Sequence, residues 1–218
     1  MLEQAARDAL RGRLEDAQRK IAEGAESAGQ ESTQASAGIA ATKALTSLAA
    51  GDMDGAERAA QGAWTDPDAV GLAAPVVAAA AVAANRPDWA QEARLAYEEL
   101  DYRGHQVTGM RHSLAAAVAL LERRWVDARS EYLVSRRDLT SAGALFDVAL
   151  LDLAIGSRGA GHFPEAEQAA AAARDFFTSR GAVSFLERYA AAFVPSDDDA
   201  RLDVKDRVAS PPAEVRGA

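Results

Sequence analysis

The 218 residues carry 24 Lys+Arg against 33 Asp+Glu, a formal charge of −9, so the field of the whole chain should repel nucleic acid and anionic lipid. Hydrophobic residues make up 49% but aromatics only 6%, with alanine dominant; strands would need β-branched and aromatic residues in period-2 runs, and none form. Cysteine is absent, which excludes disulfides, thiolate metal sites and cysteine nucleophiles, and the charged N-terminus lacks the apolar core of a signal peptide; together these predict a cytoplasmic protein.

The first helical segment covers about Leu2–Glu26, where Leu10, Leu14, Ala17 and Ile21 form one apolar stripe. Gly12 interrupts it, which predicts a helix, a turn and a second helix. Residues 24–33, GAESAGQEST, read as a polar loop. A helix over about Ser36–Ala50 puts Ile39, Leu45 and Leu48 on one side and stops at Gly51. Asp52 then caps the next helix, because its carboxylate can accept the free N–H groups of the first turn.

The longest apolar run, VGLAAPVVAAAAVAA at 70–84, is shorter than the roughly 20 residues a bilayer requires, so it predicts a buried helix and no membrane partner. It ends at NRPD, where Pro87 cannot continue a helix, and AQEARLAYEEL begins another with Ala93, Tyr97 and Leu100 on one face. After the loop DYRGHQVTG at 101–109, helices are expected over about Met110–Glu122, over about Val126–Leu139 and across GALFDVALLDLAI. A Gly-rich turn, GSRGAG, and a helix from Pro164 to about Ser179 follow, with proline well tolerated in the first turn. Beyond that, residues 1–193 read as one folded domain, and 194–218 as a disordered polar tail with few large apolar groups to bury.

Internal repetition appears when each unit is anchored on the first small residue of its second helix. The anchors Ala17, Ala56, Ala93, Ala128 and Ala166 are spaced by 39, 37, 35 and 38 residues. Four residues later stand Ile21, Ala60, Tyr97, Tyr132 and Ala170; five residues earlier, in three units, stand Gly12, Gly51 and Gly161. Small residues let paired helices approach, and the glycine takes the left-handed conformation that ends the first helix. Met53, Trp125 and Phe163, three before their anchors, plug the turns.

These residues resemble the tetratricopeptide repeat, a helix–turn–helix unit of about 34 residues with this Gly, Ala, aromatic, Ala spacing. The closing stretch is more particular: Arg174 to Phe177, Gly181, Ala182, Phe185, Leu186 and Arg188 are similar to the last repeat and capping helix of the helical arrays at the C-termini of bacterial signalling ATPases and class III adenylate cyclases. The resemblance implies an all-α fold, a right-handed α–α superhelix of about five tetratricopeptide-like helix pairs with a short C-terminal capping helix. It also implies the tail of such an array, without a catalytic domain. The short first helix, Leu2 to about Leu10, fits a piece of a longer array.

Catalytic patterns fail: there is no GxxxxGK[ST] loop, HExxH helix, GxSxG turn or GxGxxG fingerprint. His105 in a loop, His112 opening a helix and His162 in a turn lack an acidic partner at ligand spacing, so no metal or other cofactor is expected. Asp147 and Asp152 point in different directions on a helix, which favours solvated or helix-end carboxylates over a shared proton. No catalytic, cofactor-binding or metal residue is therefore assigned.

The surface left for recognition is the inner face made by the first helix of each unit. Ala41, Leu45 and Leu48 offer it in one unit; Met110, Ser113, Ala117, Leu120 and Leu121 offer it in another, with Arg111, His112 and Arg158 as nearby polar positions. Packing is the default role of such residues. The leading reading is a non-catalytic protein–protein interaction or regulatory module; the alternative is a small-molecule sensor holding its ligand between the inner helices. Uncovered apolar ends also predict weak homodimers, and a clean monomer in concentrated sedimentation runs would refute that expectation.

Overall fold

The computed structural model describes residues 1–28, 33–63, 67–99 and 103–194. The tail beyond Val194, Trp64, Leu100 and the tip of the 24–33 loop lie outside them. The fold is all-α. Eleven helices occur among the described residues: α1 (Leu2–Leu10), α2 (Leu14–Ala28), α3 (Thr33–Ala50), α4 (Met53–Gln61), α5 (Pro67–Ala84), α6 (Pro87–Glu98), α7 (His105–Leu121), α8 (Trp125–Ser141), α9 (Leu145–Gly159), α10 (Pro164–Ser179) and α11 (Val183–Ala192).

Consecutive helices pack as the pairs α1–α2, α3–α4, α5–α6, α7–α8 and α9–α10, and the first helix of each pair touches the first helix of the next. The turns explain the pairing. Gly12 (φ 83°), Gly51 (φ 82°) and Gly161 (φ 83°) are left-handed, as expected of helix stops, and Asp52 Oδ1 accepts the Gly55 N–H at 2.8 Å, a cap worth about 1 kcal/mol. In the other two pairs the same conformation falls on Asn85 (φ 56°) and Arg123 (φ 61°). This corrects the register of the third pair: five residues after Asn85 comes Ala90, which occupies the anchor place assigned to Ala93, and both alanines are fully buried.

Several boundaries also move. Residues 24–28 continue α2 and are not a loop. α6 begins at Pro87 itself, since a proline at the first helical position forfeits no hydrogen bond. α7 begins at His105, so His105 is helical and His112 lies well inside the helix rather than opening it. The expected turn GSRGAG is half helix, because Gly156, Ser157, Arg158 and Gly159 complete α9.

Two helices form the centre. α5 touches α3, α4, α6, α7, α9 and α11, and every one of its residues from 73 to 83, Pro75 included, is buried. Small side chains let so many helices approach one axis, which is the physical reason for the alanine excess. α9 is buried continuously from Val148 to Gly159. The buried polar groups are tied in: Tyr132 donates its hydroxyl to Asp152 at 2.8 Å, Arg136 Nε reaches the same carboxylate at 3.2 Å, and Ser135 donates to the Gly109 carbonyl at 2.7 Å. Asp152 is therefore an internal link between α8 and α9, not a solvated carboxylate, and burial raises its pKa. At the other end, Arg13 and Lys20 hold the buried Asp8, and their hydrogen bonds, Lys20's first, pull its pKa down to about 2.

The last helix departs most from expectation. Instead of capping only the final pair, α11 runs back across the first ones and touches α1, α3 and α5 as well as α10. Tyr189 donates to the Ala79 carbonyl of α5 at 3.0 Å, Arg188 Nε donates to the Ala49 carbonyl of α3 at 2.5 Å, and the Val194 N–H donates to the Ala83 carbonyl at 2.7 Å. It crosses the turns at Gly12 and Gly51, where an added Cβ would stand 2.8 Å from Ser184 Oγ and 3.4 Å from the Arg188 carbonyl oxygen. Those glycines serve both the turn and the crossing helix.

Candidate ligand groove on the first helices

A groove of about 730 Å³ opens beside the start of α11, walled by α1, α3, α9 and α10 with Val76 of α5 at its base. Its lining follows from helical periodicity. Leu2, Ala6 and Leu10 come from one face of α1, and Gly38, Ala41 and Leu45 from one face of α3, at the three-to-four-residue spacing that aligns side chains. The far wall is aromatic: Phe176 and Phe177 meet edge-on at 5.2 Å between centroids, and Phe146 lies 6.4 and 6.2 Å from them.

The groove's edge is charged. Glu3 and Arg7 of α1 pair at 2.5 Å. Arg11 Nε donates to the Arg180 carbonyl at 3.2 Å, so the ends of α1 and α10 are bound together. Arg180 donates to the Phe176 carbonyl at 3.1 Å and lays its guanidinium 3.6 Å from the centre of the Phe176 ring. Asp147, in the first turn of α9, is half-buried in the lining. Loss of hydration raises its pKa to about 7, against a hydrogen bond from Gln106 that lowers it.

A raised carboxyl opposes folding once it ionises. The folded value lies near 7 and the ordinary value of the group at 3.8, so its stability contribution is intact below about pH 4 and lost as pH rises through 7. Asp147→Asn should therefore stabilise the chain at pH 8 by about 1–2 kcal/mol, a figure reduced for partial exposure, with no gain near pH 4. Urea melts at the two pH values check this; equal gains at both would contradict it.

The residues expected on the inner face divide. Ala41 and Leu45 line the groove, whereas Leu48 is fully buried beneath it. Met110, Ser113, Ala117 and Leu120 are packed into the core, and Leu121 is only partly buried against it; none lines the groove. Arg158 is no ligand contact either: it is buried at 2% exposure, donates to the Val82 and Val194 carbonyls and stacks on Phe193 at 4.7 Å. The histidines are dispersed. His105 Nδ1 lies 3.6 Å from Asp138, His112 Nδ1 lies 2.5 Å from Glu131, and His162 stacks on Trp125 at 3.7 Å. No grouping of three or more His, Asp or Glu able to hold a metal occurs among the described residues. Sequence reasoning missed Phe146, Asp147, Phe176 and Arg180 as groove residues, because they come from the last pair while the facing wall comes from the first two.

The described residues thus form an all-α fold with an apolar, charge-edged groove walled by α1, α3, α9 and α10, and no described helix is long and apolar enough to cross a membrane. No family model matches the sequence, and no curated protein or solved structure matches it significantly.

Proposed function

We propose that the chain is a non-catalytic interaction or regulatory module, a right-handed α–α superhelix of about five tetratricopeptide-like pairs. In this reading it acts in the cytoplasm on a protein partner, either as a free-standing adaptor or as the C-terminal part of a bacterial signalling protein. The supporting observation is the groove: helical arrays recognise partners on the surface built by their first helices, and here α1, α3 and α9 contribute to an apolar groove with a charged edge that α10 completes. Ala6→Trp would fill the groove from a half-exposed position on α1 without entering the core. A partner captured by the wild-type chain should be lost by this variant while its circular dichroism is unchanged; undiminished capture would remove the groove from the interaction.

The groove's size favours a second reading, a small-molecule sensor. An α-helix with its side chains is about 10–12 Å across, and α11 already covers the neighbouring surface of α3 and α5. A volume of about 730 Å³ falls within the roughly 300–1,000 Å³ typical of small-ligand sites. Metabolites that raise the melting temperature of the wild type and not of Ala6→Trp would support it; flat responses across a broad library would count against it.

A further inference from the structure

The groove carries a head-group preference that goes beyond, and rests on, the small-molecule reading. Arg7, Arg13, Arg94, Arg124 and Arg129 each pair with an acid, as expected in a chain of net charge −9. Arg11 and Arg180 do not: no carboxylate lies within ion-pair distance of either among the described residues, although they stand side by side at the groove's edge. Both terminate helices, α1 and α10, where the backbone dipole favours a cation. That role engages only part of each fork. Arg11 uses Nε on the Arg180 carbonyl, and Arg180 uses one terminal nitrogen on the Phe176 carbonyl and Ser179 Oγ, which leaves the other N–H groups of both without a partner among the described residues.

The placement of these forks is specific to the groove. The Arg180 guanidinium lies over the ring of Phe176, itself a wall residue, which places its charge where the apolar lining begins. Arg11 is bonded to the Arg180 backbone, so two planar guanidiniums stand at one edge of the groove, and such a fork matches the two oxygens of a carboxylate. We propose that the groove binds a single-chain amphiphile with a carboxylate head, Arg11 and Arg180 taking the head while Leu2, Leu10, Leu45, Phe146 and Phe176 take the chain. The remaining charges are compatible with this orientation. Glu3 is neutralised by Arg7, and Asp147 lies on the α9 side with a carboxyl that is partly protonated at neutral pH.

Three probes of equal chain length isolate the head: decanoate, 1-decanol and decyltrimethylammonium, each titrated calorimetrically into the full chain below its micelle-forming concentration. Decanoate is expected to bind one to one and about tenfold tighter than decanol, the scale of one net charge-assisted hydrogen bond. In the Arg11→Gln/Arg180→Gln variant that ratio should fall to near one, while Ala6→Trp should lose both ligands. Arg180→Lys, which keeps the charge and loses the planar fork, should retain only part of the preference. The wild-type ratio is informative even if the double variant folds poorly. Equal binding of decanol and decanoate overturns the carboxylate site and leaves the sensor reading standing. Tighter binding of decyltrimethylammonium assigns the head to Asp147 and overturns it too. Absence of binding by all three probes overturns the amphiphile proposal, with the metabolite screen remaining the separate test of a sensor.

Discussion

Gly156→Ala is expected to destabilise the chain by about 3 kcal/mol and to lower its melting temperature by roughly 10 °C. A Cβ at this position would lie 2.5 Å from Ala170 Cα and 2.6 Å from Ala170 N, so it meets the backbone of α10 and cannot be relieved by a rotamer change. α9 and α10 would have to separate, and that opens a helix that is buried continuously from Val148 to Gly159. Gly143→Ala is the control: its added Cβ meets nothing within 4 Å, so only its left-handed backbone (φ 72°) would be strained, at about 1 kcal/mol. Thermal melts of the two variants compare helix packing with turn conformation directly. Equal, small losses would mean that the α9–α10 contact is looser than the backbone distances show.

Phe185→Ala carries the second large expectation, a loss of about 3–5 kcal/mol. Phe185 is fully buried, edge-on to Phe177 at 4.8 Å and 6.1 Å from Tyr189, so truncation leaves a cavity where α11 meets α10. The location of the effect matters more than its size. α11 is bound to the Ala49 and Ala79 carbonyls, at the far end of the sequence from itself, so loosening it should also loosen α3 and α5. Amide hydrogen exchange should show lost protection in both helices along with α11. Loss confined to α10 and α11 would mean that the last helix closes only its own end of the chain.

Much of the helical architecture was legible before the structure. Gly12, Gly51 and Gly161 marked turns because only glycine adopts a left-handed conformation without steric penalty, and Asp52 marked a cap because a short carboxylate reaches the first turn's N–H groups. Where Asn85 and Arg123 take the same conformation, residue type was silent, and the third pair was placed three residues late. Glycine also misled: in GSRGAG it read as a turn, but Gly156 is a contact point between two helices. Nothing in the local sequence separates a glycine needed for φ from a glycine needed for closeness.

The groove was legible by halves. Helical period put Ala41 and Leu45 on a common face and correctly associated them with the first helices, but it gave the same status to Met110 and Leu120, which are core. The Arg11–Arg180 edge joins residues separated by 169 positions, a juxtaposition that no periodicity encodes.

By itself the sequence determined the helices, their order and most of their ends, because these depend on backbone propensity, capping and short-range apolar spacing. Only the tertiary structure decided which apolar faces remain open. α11 turns back over the first pairs and buries part of their surface, leaving a groove at its own starting point. The physical reason is that burial is a sum over neighbours from the whole chain: the same alanine-rich face is core when a distant helix covers it and a binding surface when none does.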